Sequence, residues 1–101
     1  MTYTVRLSHA KNLKQELLAL KKAGIYPAFE KKLTGVLAVS PLSGKPLRHQ
    51  LKGFYRYKLL GDWRIIYHVD VGLKEVTILS VDNRKSIYED PDDVLKRFEA
   101  F

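Results

Sequence analysis

The chain has 101 residues, 46% hydrophobic and 29% charged, a length and balance expected of one globular domain over residues 1–101 with a single core. Eighteen Lys and Arg against eleven Asp and Glu leave a formal charge of +7, which directs attention to polyanions or acidic proteins as partners. Cysteine is absent, which excludes disulfides and thiolate chemistry. No run approaches the roughly 18 apolar residues of a membrane span and no apolar signal segment opens the chain, so a cytoplasmic protein with no membrane partner is expected.

Thr2 to Leu7 alternates, with Tyr3, Val5 and Leu7 on one side, and predicts a half-buried strand. From Ser8 the period changes: Ala10, Leu13, Leu17 and Leu20 recur at three and four residues, and Gly24 marks the stop of a helix. Pro27 opens a second helix whose apolar stripe is Phe29, Leu33, Val36 and Leu37, ended by Pro41. Pro41 to Lys52, PLSGKPLRHQLK, reads as a loop, and its cations Lys45, Arg48 and Lys52 make a solvated basic connection able to touch phosphates.

Two strands joined by a Gly61-Asp62 turn follow within GFYRYKLLGDWRIIYHVD, then a Val71–Lys74 turn and a third strand, Glu75 to Val81. Asp90 as N-cap, Pro91 at the first position and Asp92 and Asp93 behind it predict a short C-terminal helix with Val94, Leu95 and Phe98 as its apolar side. The order β-α-α-β-β-β-α predicts an α+β fold: an N-terminal strand, a helical hairpin packed on a twisted, largely antiparallel sheet, and a short C-terminal helix. The far face of the sheet is expected to be partly open.

Parity assigns Tyr55, Tyr57 and Leu59, and Trp63, Ile65, Tyr67 and Val69, to the core face. Phe54, Arg56, Lys58, Arg64, Ile66 and His68 fall on the other, with Phe54 as a candidate base-stacking platform. Arg56, Lys58 and Arg64 are then one side-chain reach apart on adjacent strands. Such a cluster is explained either as solubilising charge or as a site for an anion. Arg84 and Tyr88, just past the third strand, are expected near the same cations. His68 lies four residues from Arg64, roughly 13 Å along a strand, and is peripheral; His9 is a surface position, and His49 lies in the basic loop, where contact with RNA is the less favoured reading. No metal-ligand spacing appears and no cofactor is implied.

The run YRYKLLGDWRIIYHVD, a short turn, and VTILSVDNRKSIY closely resembles the C-terminal half of the RelE/ParE superfamily of type II toxins, and the helical hairpin and PLSGKPLRHQLKG match that layout. The superfamily holds RelE-like ribosome-dependent mRNA endonucleases and ParE-like gyrase poisons, which share the fold but not the catalytic residues. Carried over by position, the RelE set corresponds to Arg56, Lys58, Arg64, Arg84 and Tyr88. The resemblance therefore implies the nuclease branch, with Lys58, Arg64, Arg84 and Tyr88 catalytic and Arg56, Lys52, Arg48 and Lys45 binding RNA. The partners implied are mRNA in the ribosomal A site and a cognate antitoxin. A ParE-like toxin that inhibits gyrase without nuclease activity is the alternative.

In the nuclease reading the substrate 2′-OH attacks the adjacent phosphate without a metal. Arg64 and Arg84 clamp the phosphate, and Tyr88 or Lys58 is the base.

Overall fold

Local chain chemistry and sheet pairing together set the architecture of the computed structural model, which describes residues 2–8, 11–47 and 53–83. The alternating segment near the N-terminus forms β1 (Thr4–Leu7). The Leu-rich stretch forms α1 (Lys11–Lys22), whose last turn carries Lys21 and Lys22 where cations complement the helix dipole. Gly24, at φ 75°, turns the chain into α2 (Tyr26–Lys32), with Pro27 in its first turn.

The second helix does not run on as an α-helix to Pro41. It widens into a π-helical turn over Leu33–Leu37, where Ala38 N–H donates to the carbonyl of Leu33 and the Thr34 hydroxyl donates back to that of Glu30 at 3.3 Å. A threonine bonded backwards and a glycine next to it are weak α-helix formers, and the spacing follows. The segment from Pro41 departs further from expectation. It holds a 3-10 turn, Pro41–Ser43, and then a two-residue strand, β2 (Lys45–Pro46), in place of a plain loop.

Three longer strands complete the sheet: β3 (Phe54–Lys58), β4 (Arg64–Asp70) and β5 (Glu75–Asp82), in the order β1-β5-β4-β3-β2. All pairings are antiparallel except β1 with β5, which is parallel, with Val5 opposite Val76 and Leu7 opposite Ile78. The β3–β4 turn uses Gly61 at φ 53°, and the β4–β5 turn uses Lys74 at φ 58° with the Asp70 carboxylate capping Leu73 N–H at 2.9 Å.

Leu13, Leu20, Phe29 and Leu37 from the helical layer meet Ile65, Tyr67, Val69, Val76, Ile78 and Val81 from one sheet face, with Tyr55, Tyr57 and Trp63 packed at the margin. Parity therefore sorts the core face as expected. The opposite face is not open along its length, because Phe54 is only 4% exposed and Ile66 fully buried. Phe54 and Ile66 are thus withdrawn from water on that face, while Lys58 near the β3–β4 turn and Arg6 on β1 at the other edge stay exposed.

A bulge in β5 leaves Leu79 as the extra residue between the Ile66–Ser80 and Tyr67–Ile78 pairs. Beside it, one carboxylate oxygen of buried Glu16 on α1 accepts from the Ser80 hydroxyl at 2.9 Å and from Val81 N–H at 3.1 Å. The helix is thus pinned where the sheet ladder is irregular. The predicted C-terminal helix beginning at Asp90 lies outside the described residues. No described helix is long and apolar enough to cross a membrane.

Candidate functional site

Cross-strand register assembles the cations into rows. On the face away from the helices, Lys45 stands opposite Arg56, which stands opposite Ile66; two residues further along β3, Lys58 stands opposite Arg64, which stands opposite Asp82. Strands about 4.8 Å apart bring directly opposed side chains into contact range, so two like-charge pairs lie next to each other. Such pairing by itself costs stability, and Asp82 opposite Arg64 brings one negative charge to that row.

The four cations line a cleft of about 410 Å³ together with Ser43, Gly44 and Tyr57. Its edges are held by specific contacts. Arg64 Nη1 donates to the carbonyl of Asp62 at 2.7 Å, which ties the guanidinium to its own hairpin turn. Lys32 of α2 places its ammonium 5.7 Å from the Tyr57 ring centre, within cation-π range.

The floor is set by Gly44. The Tyr67 hydroxyl, buried, donates to the Pro41 carbonyl at 2.6 Å, and the chain passes so close that a Cβ on Gly44 would lie 2.1 Å from that hydroxyl oxygen and 2.8 Å from the Arg56 carbonyl. Burial raises the Tyr67 pKa well above the usual tyrosine range; a Gly44 backbone hydrogen bond opposes this, and Tyr55 and Tyr57 add to it. Tyr67 therefore stays neutral, a fixed post that braces the turn delivering Lys45 to the cleft.

Among the eight residues expected to act at the site, Lys45, Arg56, Lys58 and Arg64 are brought together. Arg48, Lys52, Arg84 and Tyr88, like His9 and His49, lie outside the described residues. Phe54 is not a stacking platform: it is buried, and its ring meets His68 edge-on at 4.8 Å between centres. His68 is half-buried against it, away from the cleft lining, as its distance along the strand from Arg64 implies. Ser43, Gly44 and Tyr57 are additional lining residues, and the signal for the first two was the tight SGKP sequence before the cations. Among the described residues, no three His, Asp or Glu side chains gather as a metal would require.

Chemically, the lining is rich in donors. An ammonium and a guanidinium have no acceptor, and the described lining holds neither a carboxylate nor an imidazole. The lining is net positive.

The model of the ParE toxin of the type II toxin-antitoxin system parDE matches residues 7–88. The chain belongs to the ParE toxin family. Among solved structures it is similar to the toxin-antitoxin complex RelBE2 from Mycobacterium tuberculosis, at 34% identity and a TM-score of 0.69, covering 83% of this chain and 100% of that one. It is similar to the archaeal RelE-RelB complex from Pyrococcus horikoshii OT3 at 30% identity and a TM-score of 0.61, covering 84% and 98% of the two chains. It shares its fold with a double mutant of the E. coli toxin RelE in the free state, at 22% identity and a TM-score of 0.68, covering 96% of this chain and 98% of that one. No curated protein matches the sequence closely.

ParE membership corrects the RelE-like expectation. The superfamily and its fold stand, but the assignment to the mRNA-cleaving branch does not. With it fall endoribonuclease activity and mRNA on the ribosome as partner. The source of the error is physical: a strand-borne cation cluster serves any phosphate or carboxylate, so matching basic positions reports a fold and a charge, not a reaction.

Proposed function

We propose that this chain is the toxin of a type II toxin-antitoxin pair that acts without catalysis, by binding and inhibiting DNA gyrase, and that a cognate antitoxin neutralises it. The observation that carries this reading is the ParE family match across residues 7–88. The donor-rich cleft is compatible with it, since Lys45, Arg56, Lys58 and Arg64 supply binding charge. A formal charge of +7 favours rapid association with an acidic antitoxin and with a nucleoprotein target alike.

The test is a supercoiling assay with purified gyrase and the full chain. Loss of supercoiling at stoichiometric toxin, reversed by the antitoxin, is expected. Undiminished supercoiling together with cleaved messages on translating ribosomes overturns the reading.

A further inference from the structure

Two like-charge pairs on neighbouring rows define a line of positive charge. Arg56 and Lys58 are two residues apart on β3, so the Lys45–Arg56 and Lys58–Arg64 pairs are offset by about 6.8 Å along the strand. A single carboxylate engages one pair; a polymer with regularly repeated charge engages both. The cleft is open to solvent at Lys45 and Lys58, both exposed, and is lined by donors from three strands.

An extended acidic peptide would gain most by adding a strand at the sheet edge next to these cations, where main-chain hydrogen bonds give affinity. That edge is β2, only two residues long, and one of them is Pro46, which has no N–H. The edge therefore offers little template for a peptide, while the charge rows need none to hold a phosphodiester chain.

We propose that the cleft formed by Lys45, Arg56, Lys58 and Arg64 is a sequence-independent docking site for the phosphodiester backbone of duplex DNA, through which the toxin engages the DNA held by gyrase. The last step rests on the gyrase reading. Phosphate contacts of this kind position a protein on a duplex without reading its bases. They also leave a thermodynamic signature, because each neutralised phosphate releases condensed counterions.

The experiment is fluorescence anisotropy of a labelled random-sequence 20-base-pair duplex with the purified full chain across a sodium chloride series, without gyrase. Four phosphate contacts contribute a log-log salt slope of about −3.6, so this contribution weakens affinity about 150-fold between 50 and 200 mM salt. The Lys45→Gln/Lys58→Gln double variant changes only exposed side chains and is expected to reduce the slope by about 1.8. Lys31→Gln, an exposed cation on α2 outside the cleft, should leave the slope contributed by the cleft intact.

The proposal is overturned if the double variant binds with the wild-type slope, or if polyglutamate of equal charge displaces the duplex more effectively than unlabelled duplex does. A supercoiling assay on the same proteins separates the two readings. Gyrase inhibition that survives in the double variant overturns the docking role and leaves the gyrase reading intact. Cleft-dependent DNA binding with no gyrase inhibition supports the phosphate site and overturns the gyrase reading.

Discussion

Replacing Gly44 by alanine puts a methyl carbon 2.1 Å from the Tyr67 hydroxyl oxygen, 2.8 Å from the Arg56 carbonyl oxygen and 3.1 Å from Tyr67 Cζ. The backbone at Gly44, φ −71° and ψ 169°, suits alanine, so the cost is collision alone. Neither neighbour yields easily: one atom belongs to a strand backbone and the other to a buried ring. Relief requires the Tyr67 hydroxyl to leave the Pro41 carbonyl, a buried hydrogen bond whose loss costs about 1–3 kcal/mol, on top of about 1–3 kcal/mol for overpacking. A destabilisation of about 2–6 kcal/mol follows, to be read from urea midpoints at constant m.

The informative comparison is a double-mutant cycle. Tyr67→Phe alone removes the hydroxyl and leaves the Pro41 carbonyl without its partner, costing about 1–3 kcal/mol. In Gly44→Ala/Tyr67→Phe the worst collision is gone, so the double variant should be more stable than the sum of the singles by about 1 kcal/mol or more. Additive losses would refute the claim that the hydroxyl post and the glycine are one device.

Glu16→Ala removes the acceptor for Ser80 Oγ and Val81 N–H and should cost about 1–3 kcal/mol, with the Val81 amide losing protection in hydrogen exchange; unchanged protection would show that the carboxylate does not pin the bulge. Burial lowers the His68 pKa below its usual value, with Asp70 opposing. The unfolded chain then takes up a proton at higher pH than the folded one. This histidine's contribution to stability is complete above about pH 6.5 and is lost as pH falls toward the depressed folded value. His68→Gln should flatten that part of the urea-midpoint profile; an identical acid limb in the variant would refute the assignment.

Much of the chain was legible from local chemistry. Side-chain period distinguishes a strand at Thr4–Leu7 from a helix over Leu13, Leu17 and Leu20, and parity alone put Tyr55, Ile65, Tyr67 and Val69 toward the helices, because burying Arg56 or Lys58 unpartnered is far costlier than burying an apolar neighbour. The same parity brings Arg56, Lys58 and Arg64 to one face, where they line one cleft. Glu16 was also visible in principle, as a carboxylate three residues after Leu13 and four before Leu20 on a stripe that is otherwise apolar.

Other features belong to the tertiary structure because they depend on which strands meet. Lys45 joins the site only through its pairing with Arg56, a contact between segments that carry no mutual signal, and β1 runs parallel to β5 across 71 positions of chain between Thr4 and its partner Glu75. Phe54 and Ile66 share the cations' parity yet are buried, since parity states a direction and not what fills it. Charge and period thus determined a fold and a basic character. Only the three-dimensional arrangement decided which four cations line one cleft, because Coulomb interaction depends on distance in space and chain order does not supply it.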